Sequence, residues 1–207
     1  MGYTIYFKVA NPVKDLVNNA QEMEKIWYSQ DSFERKCILS ARIPDSADDI
    51  KRIEKHLLAF KKIVSDAKKL YQELPRHTTT AGGYYKEHPL VIKGSDGTGE
   101  PIFDNYQGVI FNGDDLASMA HETFCLRPFE FEGTNKFCKT ARKPYDLLVK
   151  AVLISAKRHL GKDIEIDSDG DLEDWKEAIQ FYQNILKRKI SKNWFKEITK
   201  SENYKLA

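Results

Sequence analysis

The sequence predicts an α+β protein: a small antiparallel sheet packed on a buried helix, beside a long helical hairpin in its N-terminal half. Three observations carry that prediction. Apolar residues recur every three or four positions from Ile50 to Leu74, the period of one helix face. Between residues 88 and 127, short β-branched and aromatic segments alternate with turn-rich ones. The segment 144–160 is apolar on almost every side, as a central helix must be.

Taken in order, "YTIYFKV" (3–9) alternates like a strand. Asn11 and Pro12 then offer a cap and a first helical residue, followed at helical spacing by Val13, Leu16, Ala20, Met23 and Trp27. "SQDS" at 29–32 interrupts this pattern before Phe33 to Ile38 resumes it. Ser46 with Asp49 three residues on is an acidic capping box, and Pro75 ends the helix it opens. A helix over 47–74 is roughly 42 Å long and needs a partner along its length. The preceding helical region supplies one as an αα-hairpin. The alternative is self-association through a coiled-coil seam, against which Leu58, Ile63 and Leu70 widen the stripe beyond two positions in seven.

"PLVIK", "EPIFD", "YQGVIF" and "HETFCLR" read as four strands of a meander. "GSDGTGE" between the first two reads as a hairpin tip, because it lacks the lysine and hydroxyl of a phosphate loop and opens no helix. After the helix 144–160, Gly161 is placed to end it, "DIEI" is a strand, and Asp171 with Asp174 caps a last helix. Leu172, Trp175, Ile179, Tyr182 and Leu186 form the buried stripe of that helix. The reading is one domain over 1–207, with the hairpin at 10–75, a sheet-plus-helices core at 84–186 and a basic tail at 187–207. In the tail, Ile190, Trp194 and Ile198 suit an amphipathic helix docked on the core. Lysines interleaved with Trp194, Phe195 and Tyr204 would also suit a single-stranded nucleic acid.

Composition narrows the functional classes. A 207-residue chain with 41% hydrophobic and 31% charged residues is globular, and a net charge of +2 announces no global field for nucleic acid. Three scattered cysteines, Cys37, Cys125 and Cys138, read as reduced thiols of a cytoplasmic protein. The first residues carry no secretory pattern and no apolar run approaches a membrane span, so a soluble protein without a membrane partner is expected. No cofactor and no resident metal are expected.

Charge concentrates in one region. Residues 135–162 hold eight bases against one acid, Asp146, and residues 163–174 hold seven acids. A 17-residue helix is roughly 25 Å long, and a returning strand over 162–168 spans roughly 23 Å, so the acidic "DSDGD" turn arrives beside the helix start. There the charges can compensate one another, Arg142 pairing with Asp167 or Asp169. They can also build a site in which Lys139, Arg142 and Lys143 hold a phosphate or carboxylate and Asp167 and Asp169 position a metal. His121 and Glu122 are the candidate proton-transfer residues of such a site.

Other motifs are weaker. A calcium loop beginning at Asp167 has Leu172 at its sixth position and Ala178 at its twelfth, where glycine and glutamate belong. His121-Glu122 fits neither HExxH nor the deaminase pattern, and a zinc site from His121, Cys125 and Cys138 has no motif spacing. His56 and His159 read as surface residues or partners of a helix C-terminus.

"FCKTARKPYDLLVKAVLISAKRHLG" followed by "IEIDSDGDLEDW" resembles a signature of uncharacterised bacterial and archaeal proteins, in which a "HETF" strand comes first and a "FCKT-RKPYD" helix start and an "SDG-DW" turn follow. The resemblance covers about residues 106–180 and implies no activity; it implies that these segments form one unit. Three functions follow as expectations. The first is a binding or accessory protein recognising an anionic ligand or nucleic acid at 139–174. The second is a metal-dependent phosphate-handling hydrolase at the same cluster. The third is a scaffold that engages a protein partner, or a second copy, through the 47–74 helix.

Overall fold

The computed structural model describes residues 3–10, 47–79, 81–128 and 136–191. The fold is α+β, with seven strands in two antiparallel sheets and three α-helices among those residues. The first arm of the predicted hairpin, from Val13 to Ile38, and the tail beyond residue 191 lie outside them.

The first sheet is three-stranded. Strand β1 (Thr4–Val9) is central, antiparallel to β6 (Lys136–Lys139) on one side and to β7 (Ile164–Ser168) on the other. Its alternation buries Ile5, Phe7 and Val9 on one face while Lys8 stays exposed. The second sheet is built on β4 (Gly108–Gly113), paired by β3 (Ile102–Asp104) and β5 (Phe124–Leu126) along the same stretch and by β2 (Ile92–Lys93) near its end. These are the four strands read from the sequence, and all six residues of β4 are buried. At its start Gly108 has φ +94°, and a Cβ there would lie 2.1 Å from the Leu126 carbonyl oxygen, so glycine lets β5 close on β4. The antiparallel strands thus form two sheets, and β6, in residues read as a helix start, completes the one built on β1 and β7.

Helix α1 (Ala47–Gln72) is the expected long helix. Its partners among the described residues are helix α2 (Asp146–Leu160), helix α3 (Leu172–Leu186) and the edge of the second sheet. Ile53, Phe60, Ile63, Val64, Ala67 and Leu70 are all buried there, so the apolar stripe of α1 is spent inside its own chain. Every residue of α2 from Asp146 to Ala156 is buried, which explains why its sequence shows no polar face. Gly161 ends α2 at φ +60° and ψ −117°, a positive-φ conformation open to glycine but outside the left-handed helical region. Helix α3 opens with the predicted capping box: Asp171 accepts from the Glu173 and Asp174 amides while Asp174 accepts from the Asp171 amide. Trp175 and Tyr182 face the core, but Leu172, predicted in the same stripe, is exposed.

Candidate functional site: two polar centres at opposite ends of a buried helix

At the start of α2 the acidic turn does come back to the basic one, with a different pairing. Arg142 forms a two-point contact with Asp174, Nε to Oδ1 at 3.0 Å and Nη2 to Oδ2 at 3.2 Å. Burial tends to raise the Asp174 pKa, but the Arg142 hydrogen bond, the Asp171 amide and the nearby cations outweigh it and hold the carboxyl below its usual range. Asp169 instead accepts from the Thr4 amide at 3.2 Å, pinning the turn to the edge of β1. Asp167 accepts its neighbour's amide, from Ser168, at 2.9 Å. Gly170 permits the approach, since a Cβ there would lie 2.4 Å from the Tyr3 ring and 2.6 Å from Asp174 Oδ2.

The other predicted residues are also engaged. Lys143 Nζ donates to the carbonyl oxygens of Ser118, at 2.9 Å, and Ala120, tying the β4–β5 loop to the helix start. Burial lowers its pKa, against the pull of Asp115. Lys139 donates its backbone amide to Glu122 Oε2 at 2.6 Å, and the Glu122 carbonyl accepts from the buried Tyr145 hydroxyl at 2.8 Å. Glu122 thus bridges the approach to β5 and strand β6. His121 is exposed outside any strand, its backbone clasped by the Asn112 side chain at 3.1 Å in both directions. Ala141 and Arg142, at φ 52° and 56°, are two consecutive left-handed residues without being glycine, at a cost of about 1–2 kcal/mol each. That turn swings Arg142 away from the helix axis and onto Asp174. Beneath it lies an ion pair that pattern reading missed: Lys150 Nζ contacts Asp146 and donates to the Asp174 carbonyl at 2.7 Å, with Thr140 Oγ1 on Asp146 Oδ1 at 2.6 Å. Arg142, Lys143 and Lys150 at this end therefore serve the protein's own carboxylates and carbonyls, while Lys139 is engaged through its backbone amide.

The far end of α2 is different. A cleft of about 660 Å³ opens between α1 and the last turn of α2. Arg52, Lys55 and His56 line it from α1, and Arg158, His159 and Lys162 from the end of α2 and the turn after it. Asp163 is the one carboxylate lining it. No ion pair engages Lys55, Arg158 or Lys162 among the described residues. Of the two histidines read as surface residues or partners of a helix C-terminus, His56 is buried and His159 is half-buried in the last turn of α2. His56 follows Ile53 and precedes Phe60 on the buried face of α1, and its Nε2 contacts the Pro128 carbonyl. His159 Nε2 is 2.9 Å from Oδ2 of buried Asp66, which also takes the Ser155 hydroxyl at 2.7 Å and the Arg188 guanidinium. Asp66 thus fixes the ring of a histidine that lines the cleft.

Burial lowers the His56 pKa below its usual 6.5, opposed by the Pro128 carbonyl and Asp163. The folded protein then binds fewer protons at this ring than the unfolded chain, so stability is lost as pH falls from about 6.5 toward the folded value. Melting temperatures of the wild type between pH 7.5 and 5 are expected to slope downward over that range. His56→Gln is expected to flatten the slope, and an unchanged slope would mean that another group titrates there.

Among the described residues no group of three or more His, Cys, Asp and Glu side chains could hold a metal, and no helix is long and apolar enough to cross a membrane. Cys138 is a buried free thiol whose pKa burial pushes up. The cleft was beyond pattern reading because its cations come from segments about a hundred positions apart; only the basic last turn of α2 hinted at it. Comparison with protein-family models, with curated proteins and with solved structures gave no match.

Proposed function

We propose that the protein is a binding or accessory protein that takes an anionic ligand, and that the ligand sits in the cleft between α1 and the end of α2. One observation carries the reading: four cationic side chains, from α1, the end of α2 and the turn after it, line a single cleft with one carboxylate among them. Arg142 at the start of α2 is ion-paired with Asp174 and Lys143 is bound to two carbonyl oxygens. Lys55, Arg158 and Lys162, by contrast, have no ion-pair partner among the described residues, Arg158 donating only to the Lys189 carbonyl at 3.3 Å. A partly desolvated anion between them gains charge-assisted hydrogen bonds that surface pairs do not offer. The Asp66-held ring of His159 adds a fixed polar edge.

Thermal melts with inorganic phosphate, nucleotides and dicarboxylates test this. A ligand at a hundredfold excess over its dissociation constant adds about 2.7 kcal/mol, which raises the melting temperature of a chain this size by about 5–10 °C. The shift is expected to vanish in an Arg158→Gln/Lys162→Gln variant and to persist in Arg142→Ala. The reverse pattern would place the anion at residues 139–174, and no shift with any anion would sink the proposal.

A further inference from the structure

We infer that the anion is a single-stranded nucleic acid, held through its phosphates along the exposed face of α1 and led by that face into the cleft; the inference rests on the cleft being an anion site. From residue 55 to 72 the helix carries five lysines, Lys55, Lys61, Lys62, Lys68 and Lys69, all exposed. The only acid in that stretch is Asp66, and it is buried on the opposite side with Ser155, His159 and Arg188. No ion pair engages any of the five among the described residues.

Helical geometry arranges them. Lys55, Lys62 and Lys69 recur every seven residues, forming a nearly straight file with steps of about 10.5 Å. Lys61 and Lys68 form a second file, and Leu58, Ser65 and Gln72 lie between the two. The C-terminal dipole of α1 accounts for Lys69 in the last turn. It does not account for Lys55, Lys61 and Lys62 further back. Exposed Glu54 and Glu73 flank this face at its two ends, and between them a surface of like charges without an exposed acid carries a self-repulsion that a polyanion relieves. Lys55 belongs both to the first file and to the cleft lining, so the two basic surfaces are one.

The chemistry selects the occupant. An anionic membrane would need apolar residues to insert, but the apolar side of α1 is buried in the core and only Leu58 is exposed between the files. A duplex, with a persistence length of about 50 nm, cannot turn from a helix face into a gap between two helices, whereas a single strand can. No aromatic ring stands between the files, so contact is with phosphates and independent of base sequence.

The test is anisotropy titration of the full chain with labelled single strands of about 12 nucleotides, within known single-strand site sizes, across a salt series. The five α1 lysines contribute about −3.5 to the log–log salt slope beside the contribution of the cleft, and Lys62→Gln/Lys69→Gln is expected to make the slope shallower by about 1.4. The same variant is expected to bind a mononucleotide like the wild type and to melt no lower than it, because both side chains are exposed and their removal relieves like-charge repulsion. An unchanged slope, or a strand that binds no tighter than the mononucleotide, would overturn the inference and leave the cleft proposal standing. A mononucleotide that fails to bind would likewise overturn the inference, and failure of phosphate and dicarboxylates as well would remove the cleft proposal itself. Equal binding of duplex would overturn the single-strand assignment, and equal competition by polyphosphate the nucleic-acid one.

Discussion

Lys150→Met will cost about 3–5 kcal/mol, the usual penalty for stranding one partner of a buried ion pair. Lys150 is 1% exposed and its partner Asp146 2%. The ammonium contacts Asp146, donates to the Asp174 carbonyl, and lies 4.5 Å from the centre of the Tyr3 ring. Methionine fills the volume and keeps the apolar stem, so packing is not what is lost. The lost element is the counter-charge: Asp146 remains buried, with Thr140 on one oxygen and nothing on the other. For a chain of this length that corresponds to a fall in melting temperature of about 6–20 °C. Adding Asp146→Asn to Lys150→Met should recover a large part of it, since the stranded charge is then gone. Two additive penalties would show that the pair is not energetically coupled.

Asp66→Ala ranks second, at about 3 kcal/mol or more. The carboxylate is the hub on which Ser155, His159 and Arg188 converge from α2 and the segment after α3. Removing it leaves a buried hydroxyl and a half-exposed guanidinium without their acceptor, and it frees the His159 ring at the cleft. Burial works to raise the Asp66 pKa, but its hydrogen bonds and the Arg188 charge prevail and hold it below the usual 3.8. A depressed carboxyl pKa contributes stability that is complete above about pH 4 and fades as pH falls through the folded value. Asp66→Asn should therefore flatten the acid limb of the stability profile below about pH 4. An acid limb identical to wild type would mean that the hub is not ionised as the geometry requires. A loss below about 1 kcal/mol for Asp66→Ala would mean the same contacts are replaced by water.

What the sequence made legible was whatever has a period or a cap. Helix α1 was read from its repeat, α3 from Asp171 and Asp174, and β2 to β5 from short β-branched runs between turns. Strand β6 was lost because "FCK" abuts a helix start and is too short to show alternation. The meeting of the acidic and basic turns followed from the lengths of α2 and β7, but the pairing within it did not. Charge counts cannot distinguish Asp174 from Asp167 or Asp169, and Lys143 bonds to carbonyl oxygens, which every residue possesses. The hub at Asp66 joins positions 66, 155, 159 and 188, a contact set set by how α1 crosses α2 rather than by any local pattern. The lysine files were present as a seven-residue repeat, but only burial of the opposite face of the helix shows that they look outward.

The central place of β1 in its sheet has a consequence for synthesis. The strand is made before both of its partners, β6 and β7, which lie beyond residue 135. At about 5–20 residues per second, some 160 residues must follow β1 before β7 is complete, so the strand waits for about 8–32 s. Throughout that interval a segment with an aromatic, β-branched face has two unpaired edges, a template for pairing with other chains. The nascent chain is thus more exposed to aggregation than the finished one, and a slower translation rate would lengthen that exposure.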